Sequence, residues 1–344
     1  MKKLSELAWD IPTDKYHEHY ALSYSTIAKF EREGFSKLGS LFDRESSPSL
    51  TFGSLVDELI TGDEVSFNTQ FVVGEFPKLE PKVETAVQKL CEVYGNSHNS
   101  IFDIAEQEMI PVLDECDFYG SWGAEKRMAK VLTNDAGKYY RLMRESKDKQ
   151  IVDKNTYDEA VACVKALRTA PASAGFFSPS NDKLEKYYQL KFITELDGVE
   201  FRCMADLLVV SHEQKVIIPV DLKTMWEDET QFCQSFRKWR YDIQARLYWR
   251  IIRHVMDQDE YYKDFELKDW QFICVSKGTK RPLRWGFSKT QDQGDILVGG
   301  RILRDPVETG KQLRRYIDEH PSVPDDITAS GLNDICAWME KNMA

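Results

Sequence analysis

From about residue 20 to about residue 175 the apolar positions of the chain fall three and four apart, the spacing of helices with one buried face. ALSYSTIAKFEREG opens on the capping candidates Ser23 and Ser25, carries Ile27 and Phe30 three apart, and can stop at Gly34. SPSLTFGSLVDELITG, 47–62, sets Leu55, Val56, Leu59 and Ile60 on one stripe, with Gly62 after it. NTYDEAVACVKALRTAP, 155–171, predicts a third helix with Asn155 or Thr156 as its cap and Pro171 past its end. Residues 75–150 read as helical with long connections.

Beyond residue 185 the period changes. KYYQLKFIT, 186–194, is rich in strand formers, and GVEFRCMADLLVV, 198–210, returns after Asp197-Gly198, the strongest short hairpin signal. SHEQK, 211–215, is a polar turn. VIIPVDL, 216–222, is apolar enough for a central strand covered on both faces. Pro219 predicts poor pairing or a bulge at that point. A long helix is predicted from about Gln231 to Met256, then strands at QFICVSK, 271–277, and PLRWGFS, 282–288, and a helical tail. The pattern predicts one α/β (α+β) unit over 1–344, with a central mixed β-sheet flanked by helices. Its parts are a helical portion over about 1–180, a core over about 181–290 and a helical tail over about 291–344.

Composition narrows the class. Apolar content of 42% and charged content of 30% over 344 residues describe a chain able to bury a sizeable core. No apolar run approaches the roughly 20 residues that span a bilayer, so no membrane is expected as a partner. No leader peptide is read at the N-terminus, where acids and a proline follow the two lysines. Seven cysteines stand singly, without a CxxC pair, which argues against a zinc ribbon, an iron–sulfur cluster and a disulfide framework, and for a reducing cytoplasm.

The net charge of −11 speaks against nucleic acid until its distribution is considered. SFRKWRYDIQARLYWRIIR, 235–253, holds six basic residues against one acid, and SKGTKRPLR, 276–284, holds four and none. The acids gather elsewhere, as in DIAEQEMIPVLDECD, 103–117. Ordinary solvated faces account for such runs as well as a nucleic-acid surface does.

The chemistry is concentrated at the end of VIIPVDLK. Strand alternation puts Asp221 and Lys223 on one side and turns Leu222 to the core. Asp206 lies 15 residues earlier, across a five-residue turn, so paired strands can bring the two carboxylates together. Carboxylates so placed repel each other unless a divalent cation lies between them, and hard oxygen donors suit Mg²⁺ or Mn²⁺. Lys223 can hold an attacking water or a developing phosphorane charge. Glu185 can supply a further carboxylate. A D-x-K at a strand end is also a common surface ion pair.

The order Asp206, then VDLK with Asp221 and Lys223, resembles the PD-(D/E)xK nuclease superfamily. FGSLVDELITG, 52–62, looks like the GxxxH-ELL helix of its RecE and RecB-like branch. YDIQARLY, 241–248, matches that branch's Q-x-x-x-Y at Gln244 and Tyr248, and LSYSTIAKFE, 22–31, is similar to the opening of RecE-type phage exonucleases, relatives of lambda exonuclease. The likeness covers about residues 20–290. It implies a restriction-endonuclease-like core and Mg²⁺-dependent (or Mn²⁺-dependent) hydrolysis of linear duplex DNA from its ends, 5′ to 3′, in recombination or repair. Asp206, Asp221 and the Leu222 carbonyl would ligate metal, with Lys223 catalytic and Glu185, Gln244 and Tyr248 in support. Arg237, Lys238, Arg240, Arg246, Lys277, Lys280 and Arg281 are candidate DNA contacts. Trp226 and Trp239 are candidate stacking surfaces, although an aromatic near a long helix is more often core. A single-strand annealing protein and a homo-oligomeric ring of three or four subunits are the implied partners, in a bacterial host cell if the gene is a phage's. Asp57 stands where the branch has its metal-binding histidine. It serves as a ligand there, has another task, or marks an altered site. Three rival readings remain: an endonuclease of the same superfamily, a DNA-binding protein that kept the fold and lost the chemistry, and, without the resemblance, an α+β cytoplasmic protein whose charges are ordinary surface groups.

Overall fold

The computed structural model describes residues 2–43, 47–62, 64–147, 149–180 and 183–319. Contacts group the chain into two compact units, Met1–Leu50 with Cys163–Ala344, and Thr51–Ala162. These limits differ from the parts drawn on periodicity, because the first 50 residues pack with the sheet.

The first unit is built on a six-stranded mixed sheet. Its strands are β1 (Glu185–Leu196), β2 (Val199–Ser211), β3 (Val216–Met225), β4 (Glu266–Leu267), β5 (Gln271–Ser276) and β6 (Pro282–Gly286). The order is β1-β2-β3-β5-β6, with β4 also on β3. The β1–β2, β2–β3 and β5–β6 pairs are antiparallel, and β3 runs parallel to both β4 and β5. The predicted hairpin forms with Leu196 opposite Val199. Asp197 and Gly198 sit at φ 51° and 81°, the doubly positive geometry whose twist matches that of the strands.

Pro219 has the consequence expected of a residue without an N–H. It stays in register with Leu208 on the β2 side, so the strand does not bulge. On the other side the partners change at that point: Ile217 faces Leu267 of β4, and the next pair is Val220 with Gln271 of β5. The proline thus falls where one partner strand has ended and the next has not begun.

Four helices of this unit bear on the site: α1 (Tyr24–Glu33), α2 (Phe232–Trp239), α3 (Tyr241–Asp257) and α4 (Pro306–Glu319). Ser23 caps α1 by accepting from the Thr26 N–H, and Gly34 ends it at φ 68°. The α3 residues Ile243, Leu247, Ile251 and Ile252 share a buried core with Phe192, Phe201, Cys203, Leu208, Trp270 and Phe272. Each large apolar side chain so buried contributes about 1.5–3 kcal/mol.

Three sequence expectations are corrected. The single helix from Gln231 to Met256 is two helices, broken at Arg240, which is left-handed at φ 55°, ψ 47°. That conformation costs a non-glycine residue about 1–2 kcal/mol. It is offset by the Arg240 guanidinium, which donates to both Asp242 oxygens at 2.9 and 3.1 Å and to Glu31 at 2.6 Å. The tail is not helical throughout: β7 (Ile296–Val298) and β8 (Arg301–Leu303) form a hairpin before α4, and residues 320–344 lie outside the described ones. The helix read from 155 runs Lys154–Thr169, and Asp153 caps it by accepting from the Thr156 N–H at 2.9 Å.

In the second unit, helices Pro81–Tyr94, Glu106–Glu115, Ala124–Val131 and Asn134–Glu145 enclose Val87, Leu90, Met109, Leu113, Phe118 and Tyr140. Phe71–Val73 pairs in parallel with Gln150–Val152. Among the described residues, no helix is long and apolar enough to cross a membrane.

Candidate active site

The β2–β3 ladder runs from Ser211↔Val216 to Leu207↔Val220 and stops there. The next residues in register are Asp206 and Asp221, so the two carboxylates stand across from each other where the strands part. The Leu222 N–H turns to Asp206 instead, donating to its Oδ2 at 2.9 Å. Further along, the edge of β2 that β3 has left is taken by Leu22, whose N–H donates to Glu200 O at 3.0 Å and whose carbonyl accepts from the Arg202 N–H at 2.9 Å. That pairing brings the start of α1, with Tyr24, toward the fork.

Asp221 is fully buried and Lys223 lies on the same side of β3, its Nζ 2.6 Å from Asp221 Oδ2. Gln244, projecting from α3, touches both. Its Nε2 donates to Asp221 Oδ1 at 2.5 Å, and its Oε1 accepts from Lys223 Nζ at 3.0 Å. The ammonium also lies 4.6 Å from the Tyr241 ring centroid. Burial pushes the Asp221 carboxyl above the ordinary carboxylate value, opposed by Lys223 and by hydrogen bonds from Asp206 and Gln244. For Lys223, burial is the largest influence and works against the ammonium, but Asp221 together with Tyr241, Asp206 and Tyr24 outweighs it, and the group is held above the usual lysine value. Lys223 is therefore a cation fixed in place. Asp221 Oδ2 is buried without a hydrogen bond of good geometry, despite its close ion pair.

Tyr248, one turn beyond Gln244, is buried and stands edge-on to Tyr24 and Trp270, at ring distances of 6.4 and 5.8 Å. Burial holds its hydroxyl, and that of Tyr24, well above the ordinary tyrosine value. Both rings act as apolar walls. Tyr24 and Tyr241 were missed as wall residues, though both lie inside motifs read from the sequence. Gln189, level with Asp206 on β1 and left-handed at φ 55°, left no signal, because KYYQLKFIT reads as an unbroken strand.

Several expected site residues lie elsewhere. Glu185 pairs with Val210, four residues along β2 from Asp206, and is bound by the Tyr187 hydroxyl and by His212 Nε2 at 3.1 Å. The Tyr187 hydrogen bond, then that of His212, holds its carboxyl below the usual range. Leu222, expected in the core, is half-buried. Arg246 is fully buried, donating to the carbonyls of Asp292, Gly294 and Arg304, and Arg240 spends its guanidinium on Glu31 and Asp242. In both, tertiary acceptors take up the charge that the sequence read as a basic face. Arg237, Lys238 and Arg281 are exposed. Lys277 lies 4.2 Å over the half-exposed Trp226 ring, and Lys280 donates to the Lys277 carbonyl. Trp239 is exposed, with Lys238 and Arg32 at 4.8 and 5.1 Å from its ring. Asp57 is a half-buried helix residue of the second unit.

Among the described residues, no three or more His, Cys, Asp or Glu side chains gather as a metal cluster. The donor set at the fork is the two carboxylates of Asp206 and Asp221. It fits an ion such as Mg²⁺, which is commonly held by one or two carboxylates and completed by water and substrate phosphate.

A family model described as a PDDEXK-like domain of unknown function (DUF3799) matches residues 23–280. No curated protein matches the chain. Among solved structures, a candidate exonuclease from Eubacterium rectale is similar at 16% identity over 93% of this chain and 84% of that one, with a TM-score of 0.36. That likeness is too distant to bear on chemistry.

Proposed function

The chain belongs to the PDDEXK-like family DUF3799, within the PD-(D/E)xK nuclease superfamily, and on that premise we propose that it is a metal-dependent exodeoxyribonuclease acting on linear duplex DNA. The observation that carries the reading is the pair Asp206 and Asp221 facing each other at the fork of β2 and β3, with Lys223 held 2.6 Å from Asp221. Asp206, Asp221 and the Leu222 carbonyl would hold the divalent ion. When bound, it supplies Lewis-acid stabilisation of the phosphate and a bound water of lowered pKa.

The side chains define the rest of the mechanism. Lys223 holds a fixed positive charge where the attacking oxygen and the pentacovalent phosphate develop negative charge. Gln244 locks Asp221 and Lys223 into one geometry from a second element, so neither has to reorganise during the reaction. Tyr24, Tyr241 and Tyr248 limit water around this group and strengthen its electrostatics. Gln244→Ala is expected to lower kcat about tenfold to a hundredfold by loosening that lock, with KM nearly unchanged. Steady-state kinetics on a labelled duplex checks this, and a change in KM alone would assign Gln244 to substrate binding.

On the resemblance of 22–31, 52–62 and 241–248 to RecE-type motifs, we extend the proposal to attack from DNA ends with 5′ to 3′ polarity, a recombination role beside an annealing protein, and a ring-shaped oligomer. The deciding assay is a linear duplex labelled separately at its 5′ and 3′ ends, with Mg²⁺ or Mn²⁺ and then with EDTA, beside a covalently closed circle. Metal-dependent loss of the linear form alone, with 5′ label released first, is the expected result. Cutting of the circle would make the protein an endonuclease. Arg237→Ala and Lys238→Ala should each reduce the slope of log affinity against log salt by about 1, measured by DNA binding in EDTA. An unchanged slope would remove them from the DNA surface.

A further inference from the structure

Among the described residues of the first unit, the β7–β8 hairpin carries the most exposed apolar pair that sits on one rung of a ladder. Leu297 and Ile302 are directly paired across it, and they are 65% and 70% exposed. The root of the same hairpin is tied down by buried charge. Arg246, with no exposed surface, donates to Asp292 O and Gly294 O before the hairpin and to Arg304 O after it. Arg250 grips Asp305 at 2.8 and 2.6 Å, and Asp305 accepts from the Gly294 N–H at 2.8 Å and caps α4 through the Val307 N–H. Both arginines project from α3, the helix that carries Gln244. The root is therefore fixed relative to Asp221 and Lys223, while the rung is left in water.

The tip is basic. Its two glycines, Gly299 and Gly300, take φ 58° and 76°, and a Cβ on Gly299 would stand 3.1 Å from Arg237 Nη2. An arginine thus lies against the turn, with Arg301 exposed on the other strand and Lys238 exposed beside Arg237. The nearest acid of the root, Asp295, accepts from the Asp305 N–H at 2.8 Å. An apolar rung beside two or three cations complements the end of a duplex, which offers a flat apolar base pair flanked by phosphates. Apolar side chains of this kind are used as wedges against base steps.

We propose that this hairpin caps a DNA duplex end, Leu297 and Ile302 stacking on the terminal base pair while Arg237 and Arg301 take the adjoining phosphates. The proposal rests on the nuclease reading and adds the element that recognises an end. Because the rung is exposed, Leu297→Ser with Ile302→Ser leaves the core intact. Cleavage of a blunt linear duplex by the double variant should fall about tenfold, equivalent to about 1.4 kcal/mol, and cleavage of a single-stranded oligonucleotide should stay within about twofold. In EDTA, a duplex with 2-aminopurine at its terminus should dim on binding the wild-type protein, because a capped end pair frays less, and should not dim with the variant. If the wild type cuts nothing but still dims the probe through the rung, the hairpin role stands and the nuclease reading falls. If the variant cuts duplex at the wild-type rate, or loses both substrates equally, the hairpin role is overturned while the nuclease reading survives. A wild-type oligomer that the variant dissolves, seen by light scattering, would give the rung to a second copy of the chain and overturn the proposal.

Discussion

Asp221→Asn is expected to reduce hydrolysis at least about a thousandfold while the protein stays folded. The asparagine keeps the shape that Gln244 packs against but removes the charge that would hold a cation and anchor Lys223. Lys223, whose side chain is 17% exposed against 1% for Asp221, can turn its ammonium toward water in that variant. Lys223→Ala is expected to behave differently. It removes the one cation from a fully buried carboxylate, and breaking a buried pair in this way costs about 3–5 kcal/mol. That variant should be both inactive and less stable, and adding Asp221→Asn should restore stability without restoring activity. Urea midpoints and single-turnover rates on labelled duplex measure the two effects separately. Wild-type rates in Asp221→Asn would sink the assignment of the site.

Arg246→Leu should cost about 3–5 kcal/mol of stability and leave the salt dependence of DNA binding unchanged. Three backbone carbonyls, of Asp292, Gly294 and Arg304, would lose their donor in the interior, and the root of the β7–β8 hairpin would lose its hold on α3. Arg246→Lys should recover little, because one ammonium cannot replace a planar fork that reaches several acceptors. A phosphate-contacting arginine has the opposite signature, with normal stability and a salt slope smaller by about 1. An unfolding midpoint together with a salt titration therefore decides what this arginine does.

Two of the four arginines assigned to DNA on sequence grounds show where local reading stops. Arg237 and Arg240 are three residues apart in one basic run, yet one is exposed and the other holds Glu31 and Asp242 across a helix break. Glu31 lies 209 positions away from Arg240 in the chain. No window of the sequence contains that partner, so neither the ion pair nor the left-handed turn it supports could be read. Glu185 shows a related limit: strand alternation gives a side, but only the register with Val210 gives its distance from Asp206.

What the sequence determined by itself is local and periodic. Runs rich in strand formers marked β1 and β2, and a near-continuous apolar run marked β3. Asp197-Gly198 set the hairpin, because its positive φ angles are cheap only for such residues. The length of the 211–215 turn then made Asp206 and Asp221 partners, since an antiparallel register follows from its connecting turn. Asp221 and Lys223 shared a side by alternation, and Gln244 was marked by its motif. Tertiary structure decided which of these groups meet: that β2 and β3 part at the two acids, that Leu22 fills the vacated edge, that Gln244 bridges Asp221 and Lys223, and that Arg246 turns inward to clasp a hairpin. Each depends on desolvation and hydrogen bonding between segments far apart in the chain. Those energies exist only once the segments are packed together, and a sequence pattern does not contain them.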